Sequence, residues 1–236
     1  MTINIMHLYY DLLNLYGESG NIKILKKYFE EQNIKVNIHF VTIDDKLDFK
    51  NIDIIYIGNG TPTNQLLALE HLKIYKKEIK EYIEDNKILI STGNSFELFG
   101  KRIDNKEALN IFDYEAINEN FRIVDEVLYK FNPIKDYVIG FQNQERVIKN
   151  NNNHLFKVIK GTGDVPKSNY EGYKYKNFYG THLIGPLLVR NPKLLAYVCN
   201  SLIKTKNKNF KIKINNQSFE NKAYNWFIKN NWVEIK

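Results

Sequence analysis

Residues 53–60 read DIIYIGNG and residues 87–100 read KILISTGNSFELFG. Each opens on a short, nearly unbroken apolar run and ends in small or polar residues. A run without alternation marks a strand buried on both faces, as a parallel sheet requires. Between the two, the spacing predicts a helix from about Asn64 to Asp85. Upstream, Ile3–Tyr10 is β-like, and a helix follows from about Asn21 to Gln32. Its apolar positions Ile22, Leu25 and Phe29 recur at three and four. Lys35–Ile43 alternates, with Val36, Ile38 and Phe40 on one face. A short helix near Ser95–Phe99 follows the second run. This β-α-β-β-α-β-α order predicts an α/β domain whose largely parallel sheet is flanked by helices. In open sheets of this kind, ligands bind at the carboxyl ends of the strands. Those ends are Tyr9–Asp11, Gly58–Gly60 and Thr92–Ser95.

The chain then becomes β-rich, with candidate strands at Phe121–Tyr129, Tyr137–Phe141, Phe156–Lys160 and Phe178–Leu183. A helix from Pro192 to about Lys204 closes a main body of residues 1–204. Residues 205–236 form a basic linker and an amphipathic C-terminal extension. There Phe219, Ala223, Trp226 and Phe227 sit at helical spacing. The stretch from Phe219 to Trp232 either caps the domain or docks a partner.

The net charge is +7, which raises the question of nucleic acid. Only Arg102, Arg122, Arg146 and Arg190 are arginines, and the lysines are scattered. That pattern lacks the bidentate donors and basic-aromatic modules of nucleic-acid binding, so none is expected. No apolar run approaches the length of a membrane span, and the first ten residues lack the features of a signal peptide. A cytoplasmic protein is the expectation. The single cysteine, Cys199, lies among Leu195, Val198, Leu202 and Ile203, which is core spacing. His7, His39, His71 and His154 are isolated, so no metal site is expected. No phosphate-loop lysine motif is present, and no cofactor is implied.

Seven stretches together resemble the class I glutamine amidotransferases of the CobB/CobQ type, and within them the GatD-like group. They are YDLLNLYGESGNI (10–22), IYIGNG (55–60), STGNSFELFG (91–100), IGFQNQ (139–144), KGTGD (160–164), YEG (170–172) and GTHLIGPLLVRNP (180–192). They occur in the family's order and cover about residues 3–203. The resemblance implies a class I amidotransferase-like, flavodoxin-like α/β fold. It implies glutamine hydrolysis with transfer of the ammonia to a synthase. In the GatD-like group that partner is a Mur-ligase-like, MurT-type ATP enzyme that amidates a peptidoglycan precursor. This chemistry needs an activated nucleophile at a strand-to-helix elbow, a histidine base and N–H donors for the oxyanion.

Two positions depart from the family pattern. Counted back from Gly100, the nucleophile position is Gly93, which has no side chain. In the second motif the histidine position is Ile184, and a histidine stands two residues earlier, at His182. On a strand, residues two apart share a face, about 6.6 Å apart. His182 therefore either faces the site from a displaced position or is a hydrogen-bonded buried histidine. Gly93-Asn94-Ser95 makes Ser95 a candidate substitute nucleophile, although its position past the elbow suits a helix cap better. Thr92 and Asn94 share that capping alternative. Gly58, Asn59 and Gly60 match the family's oxyanion-side turn. Backbone N–H groups there and at Asn94 are candidates to bind a carboxylate, glutamine or another small one. Arg122 matches a position that could hold that carboxylate, or is a surface arginine. Gln142-Asn143-Gln144 stands where the family has Glu-Asn-His. The expectation is an amidotransferase-like subunit without glutaminase chemistry that acts through a Mur-ligase-like synthase. The alternatives are a hydrolase using Ser95 and His182, or a small-molecule-binding module on the same scaffold.

Overall fold

The computed structural model describes residues 1–231. Five strands run parallel in its sheet: β1 (Thr2–Leu8), β2 (Lys35–Val41), β3 (Ile54–Ile57), β4 (Ile88–Thr92) and, much later in the chain, β11 (Phe178–Thr181). Their order is β2-β1-β3-β4-β11. Beyond β11 the sheet turns antiparallel through β10 (Tyr170–Tyr175), β9 (His154–Lys160), β7 (Glu115–Phe131) and β8 (Asp136–Lys149), which pairs with β7. Two-residue strands β5 (Arg102–Ile103) and β6 (Lys106–Glu107) edge β7.

The apolar runs are buried because both faces of the sheet are covered. Ile3, Ile5, Ile54, Tyr56, Ile88 and Ile90 face α1 (Ser19–Glu31) and α5 (Pro192–Lys206). Met6, Leu8, Ile55, Ile57 and Leu89 face α2 (Pro62–Ile74) and α3 (Lys76–Glu84). Alternate residues of one strand thus feed two cores. Ile22, Leu25 and Phe29 are buried as their spacing predicts, and Cys199 is buried with them.

Several elements differ from the sequence expectation. The helix expected over 64–85 is two, α2 and α3, separated at Tyr75, which has non-helical dihedrals (φ −109°, ψ 17°). β10 has no counterpart among the expected strands. β11 ends at Thr181, so His182 and Leu183 lie beyond it. The hairpin β7–β8 is far longer than its apolar segments suggest, with a register break between Asn118 and Ile123. After the short α4 (Leu187–Arg190) and α5, the chain ends in α6 (Phe219–Asn231). Its inward face is Tyr224, Phe227 and Ile228, packed on Leu128, Ile139 and Tyr137. Phe219 and Trp226 of the expected stripe are instead 81% and 65% exposed. Trp232 lies outside the described residues. No helix among the described residues is long and apolar enough to cross a membrane.

Candidate functional site

The carboxyl ends of β3, β4 and β11 open on a polar groove of about 210 Å³. Asn59, Gly60, Gly93, Asn94, Arg122 and His182 all line it, as expected for a site at the strand ends. Ile184 does not. It is 2% exposed, and its N–H donates to the Phe141 carbonyl at 3.0 Å, stitching the segment after β11 to β8. A larger cleft of about 250 Å³ lies between α1, α5 and the segment leading into α6, and none of the expected site residues line it.

Gly93 is the turn between β4 and a short 3-10 segment (Gly93–Phe99), with φ +62°. That left-handed conformation favours glycine. The space beside it is taken. A Cβ at Gly93 would lie 2.5 Å from Asn59 Cβ and Cγ, well inside contact distance. Asn59 Oδ1 accepts the N–H of Asn94 at 2.8 Å. The Asn94 carboxamide accepts the Gly60 N–H at 3.0 Å and donates to the Gly60 carbonyl at 2.8 Å. The Gly60 and Asn94 N–H groups, two of those expected to receive a carboxylate, are therefore bonded within the chain. Gly58 and Gly60 are packed under residues 12–18, where a side chain at either would meet Leu13.

Ser95 is fully buried. Its hydroxyl lies 2.7 Å from Ser91 Oγ, 2.9 Å from the Thr92 carbonyl and 3.0 Å from the Ile57 carbonyl. It bonds no helix N–H, so it is not the cap its position suggested, and neither Thr92 nor Asn94 supplies one. The structure does not join Ser95 to His182. His182 is 1% exposed; its Nε2 lies 3.3 Å from Glu97 Oε1, and its Nδ1 has no partner.

Glu97 is the residue that sequence reasoning missed. One of its oxygens meets His182, and the other accepts from Gln65 Nε2 at 2.7 Å and pairs with Arg146 at 3.3 Å. Arg146 also binds Asp104 at 2.8 Å. A carboxylate in the apolar run FELF was the available signal, since a buried acid needs partners. Arg122 is at the groove mouth, in the register break of β7. It is half-exposed and already engaged by Glu145 at 3.0 Å and Asn143 at 2.6 Å. Gln144 is 7% exposed and lines the groove, and neither polar atom of its amide has a partner among the described residues.

Beneath the groove floor sits Glu18, fully buried. It accepts from the hydroxyls of Tyr56 and Thr92 and from the Gly185 N–H at 3.1 Å. Burial raises its carboxyl, while these bonds oppose the shift. Asn21 donates to the same Tyr56 hydroxyl at 2.7 Å.

The arrangement offers a tight glycine turn at Gly93, a His182–Glu97 pair and the Gln144 amide facing the groove. Such a lining can position a polar ligand. Two curated relatives are lipid II isoglutaminyl synthase (glutamine-hydrolyzing) subunits GatD. That of Streptococcus pneumoniae is 28% identical over 215 residues, covering 86% of this chain and 82% of that one. That of Staphylococcus aureus is 29% identical over 201 residues, covering 83% and 82%. A solved glutamine amidotransferase of Thermotoga maritima superposes with a TM-score of 0.53 at 11% identity, covering 87% of this chain and 86% of that one. A second solved glutamine amidotransferase gives 0.53 at 14%, covering 83% and 98%. At such identity these two speak for the fold alone. The CobB/CobQ-like glutamine amidotransferase domain model matches residues 4–192, from β1 through the groove to the start of α5. With that match spanning every element that builds the groove, the chain belongs to the CobB/CobQ-like glutamine amidotransferase domain family.

Proposed function

We propose that this chain is a GatD-type amidotransferase subunit that does not hydrolyse glutamine by the family's cysteine–histidine chemistry. It acts by binding, as the companion of a Mur-ligase-like, MurT-type synthase in amidation of a peptidoglycan precursor. The observation that carries this reading is Gly93: the elbow keeps its left-handed turn, but no nucleophile stands on it and Asn59 fills the adjoining space. Ile184, buried against β8, supplies no base. The relatives named as glutamine-hydrolyzing subunits support the partner assignment.

The groove keeps polar capacity that a binding role can use. The Gln144 amide and His182 Nδ1 are buried without partners, and leaving such groups unmet costs about 1–3 kcal/mol each. A small polar molecule bearing both donors and acceptors, such as a carboxylate amino acid, would satisfy them. The test is glutamine hydrolysis by the purified chain, alone and co-expressed with a Mur-ligase-like partner. The expected rate is background in both, with stable co-purification of the partner. Turnover in either state would sink the non-hydrolytic reading. If His182→Ala and Ser95→Ala both abolished it, the chemistry would reside on those residues.

A further inference from the structure

The turn at Gly93 has lost more than a side chain. In a strand-to-helix elbow, the N–H of the residue after the nucleophile points at the developing oxyanion. Here that residue is Asn94, and its N–H points at Asn59 Oδ1, 2.8 Å away. Asn59 is 6% exposed, and its Cβ and Cγ lie only 2.5 Å from where the first carbon of a side chain on Gly93 would go. The neighbouring donor, the Gly60 N–H, is held by Asn94 Oδ1, so the two asparagines lock the turn and the Gly58–Gly60 loop together.

We infer that Asn59 is an internal occupant of this site. Its side-chain oxygen takes the place, against the Asn94 N–H, that the amide oxygen of an external substrate would take. The group it presents is a primary carboxamide, the same class of group that glutamine would bring. The inference rests on Gly93 being the elbow without a nucleophile, and it adds a second, independent barrier. A thiol restored at this turn would meet Asn59 before it met any substrate. Asn59 and Gly93 are therefore coupled: a side chain is tolerated at one position only when the other is small.

A double-mutant cycle on the full chain tests this, with Gly93→Cys, Asn59→Gly and the double variant followed by thermal melting. Gly93→Cys alone is expected to lower the melting midpoint by about 5 °C or more. In the Asn59→Gly background the same change is expected to cost less than half as much, the remainder reflecting the left-handed turn. The thiol introduced by Gly93→Cys should also react with iodoacetamide at least about tenfold faster in the double variant than in the single one. The fully buried Cys199 gives the slow baseline. Equal costs in the two backgrounds would overturn the inference.

If neither thiol variant folds, Asn59→Gly alone decides. Loss of the acceptor should speed hydrogen exchange of the Asn94 amide at least about tenfold relative to the global rate, while Asn59→Asp keeps the protection. An unchanged Asn94 rate in Asn59→Gly would show that its N–H is held by something else and would overturn the assignment. None of these arms reads hydrolysis. Glutamine turnover by the wild-type chain would overturn the proposed function and leave the cycle standing. An additive cycle in a chain that turns nothing over would overturn the role of Asn59 alone.

Discussion

Glu171 is fully buried next to Asp164 and under the end of β11. Burial and then the Asp164 charge push its carboxyl up to about 8, against the bonds it accepts from the His182 N–H (2.8 Å) and the Thr181 hydroxyl (2.8 Å). The unfolded chain releases that proton near the ordinary value of 4.5. Between about 4.5 and 8 the folded chain therefore holds a proton the unfolded chain has lost, and stability falls as pH rises. Glu171→Gln is expected to remove this slope. Its melting midpoint should gain on the wild type steadily from about pH 5 to about pH 8; parallel curves would refute the assignment. His7 titrates in the opposite sense. It is buried with no partner on either ring nitrogen among the described residues, and burial lowers it to about 4. The unfolded chain takes up that proton near 6.5, so stability falls as pH drops from about 6.5 to about 4. His7→Phe should resist acid better, by up to about 3 kcal/mol at about pH 4, as urea unfolding at acid and neutral pH would show. Ser95→Ala should cost about 1–2 kcal/mol by orphaning groups bonded to the hydroxyl. It should leave binding in the groove unchanged, because the hydroxyl faces the β3–β4 backbone.

At the scale of the element, α6 shows why periodicity alone misplaces a face. Phe219, Ala223, Trp226 and Phe227 are the most apolar set at helical spacing, yet the helix docks on Tyr224. Its hydroxyl donates to the Tyr137 carbonyl at 2.9 Å and to Asp136 at 3.1 Å, so a polar handle orients the helix. Lys27 with Glu220 and Arg190 over Phe227 complete the seat. Tyr224→Ala is expected to cost about 2–3 kcal/mol, while Trp226→Ala, at an exposed position, should stay within about 0.5 kcal/mol. Denaturant melts of the two variants decide this, and a Trp226→Ala cost equal to that of Tyr224→Ala would reverse the orientation. The central strands β3 and β4 were legible because short unbroken runs such as IIYI, ending in Gly or Ser/Thr, suit burial on both faces. β10 was not, because YEGYKY mixes a buried Glu171 and Gly172 with half-exposed residues and shows no clean alternation. The division at Tyr75 left no proline or glycine in the sequence to mark it.

For the whole molecule, the α/β class and the largely parallel sheet could be read before any coordinates, and a parallel sheet directs attention to the carboxyl ends of its strands. What could not be read was which side chains meet there. Glu97, Gln65 and Arg146 come from three distant segments, and only folding brings them to His182. The blocking contact of Asn59 was hidden for the same reason: it depends on two turns, 34 residues apart, approaching within hydrogen-bonding distance. Glu18 binds the segment before α1 to β3, β4 and the chain after β11. Glu18→Ala should therefore cost about 3 kcal/mol or more, losing several bonds at once, and calorimetry should show the midpoint fall by about 6 °C or more; a smaller loss would mean the strand ends are held by packing alone.

That carboxyl lies under the floor of the groove, and its partners are all structural. The groove lining stands above that floor, on the turns after β3 and β4 that carry Asn59, Gly60, Gly93 and Asn94. A substitution in that lining therefore alters what the cavity can hold while the frame beneath keeps its outline. What such a cavity holds and what shape it has can therefore change separately, so a change in one need not show in the other.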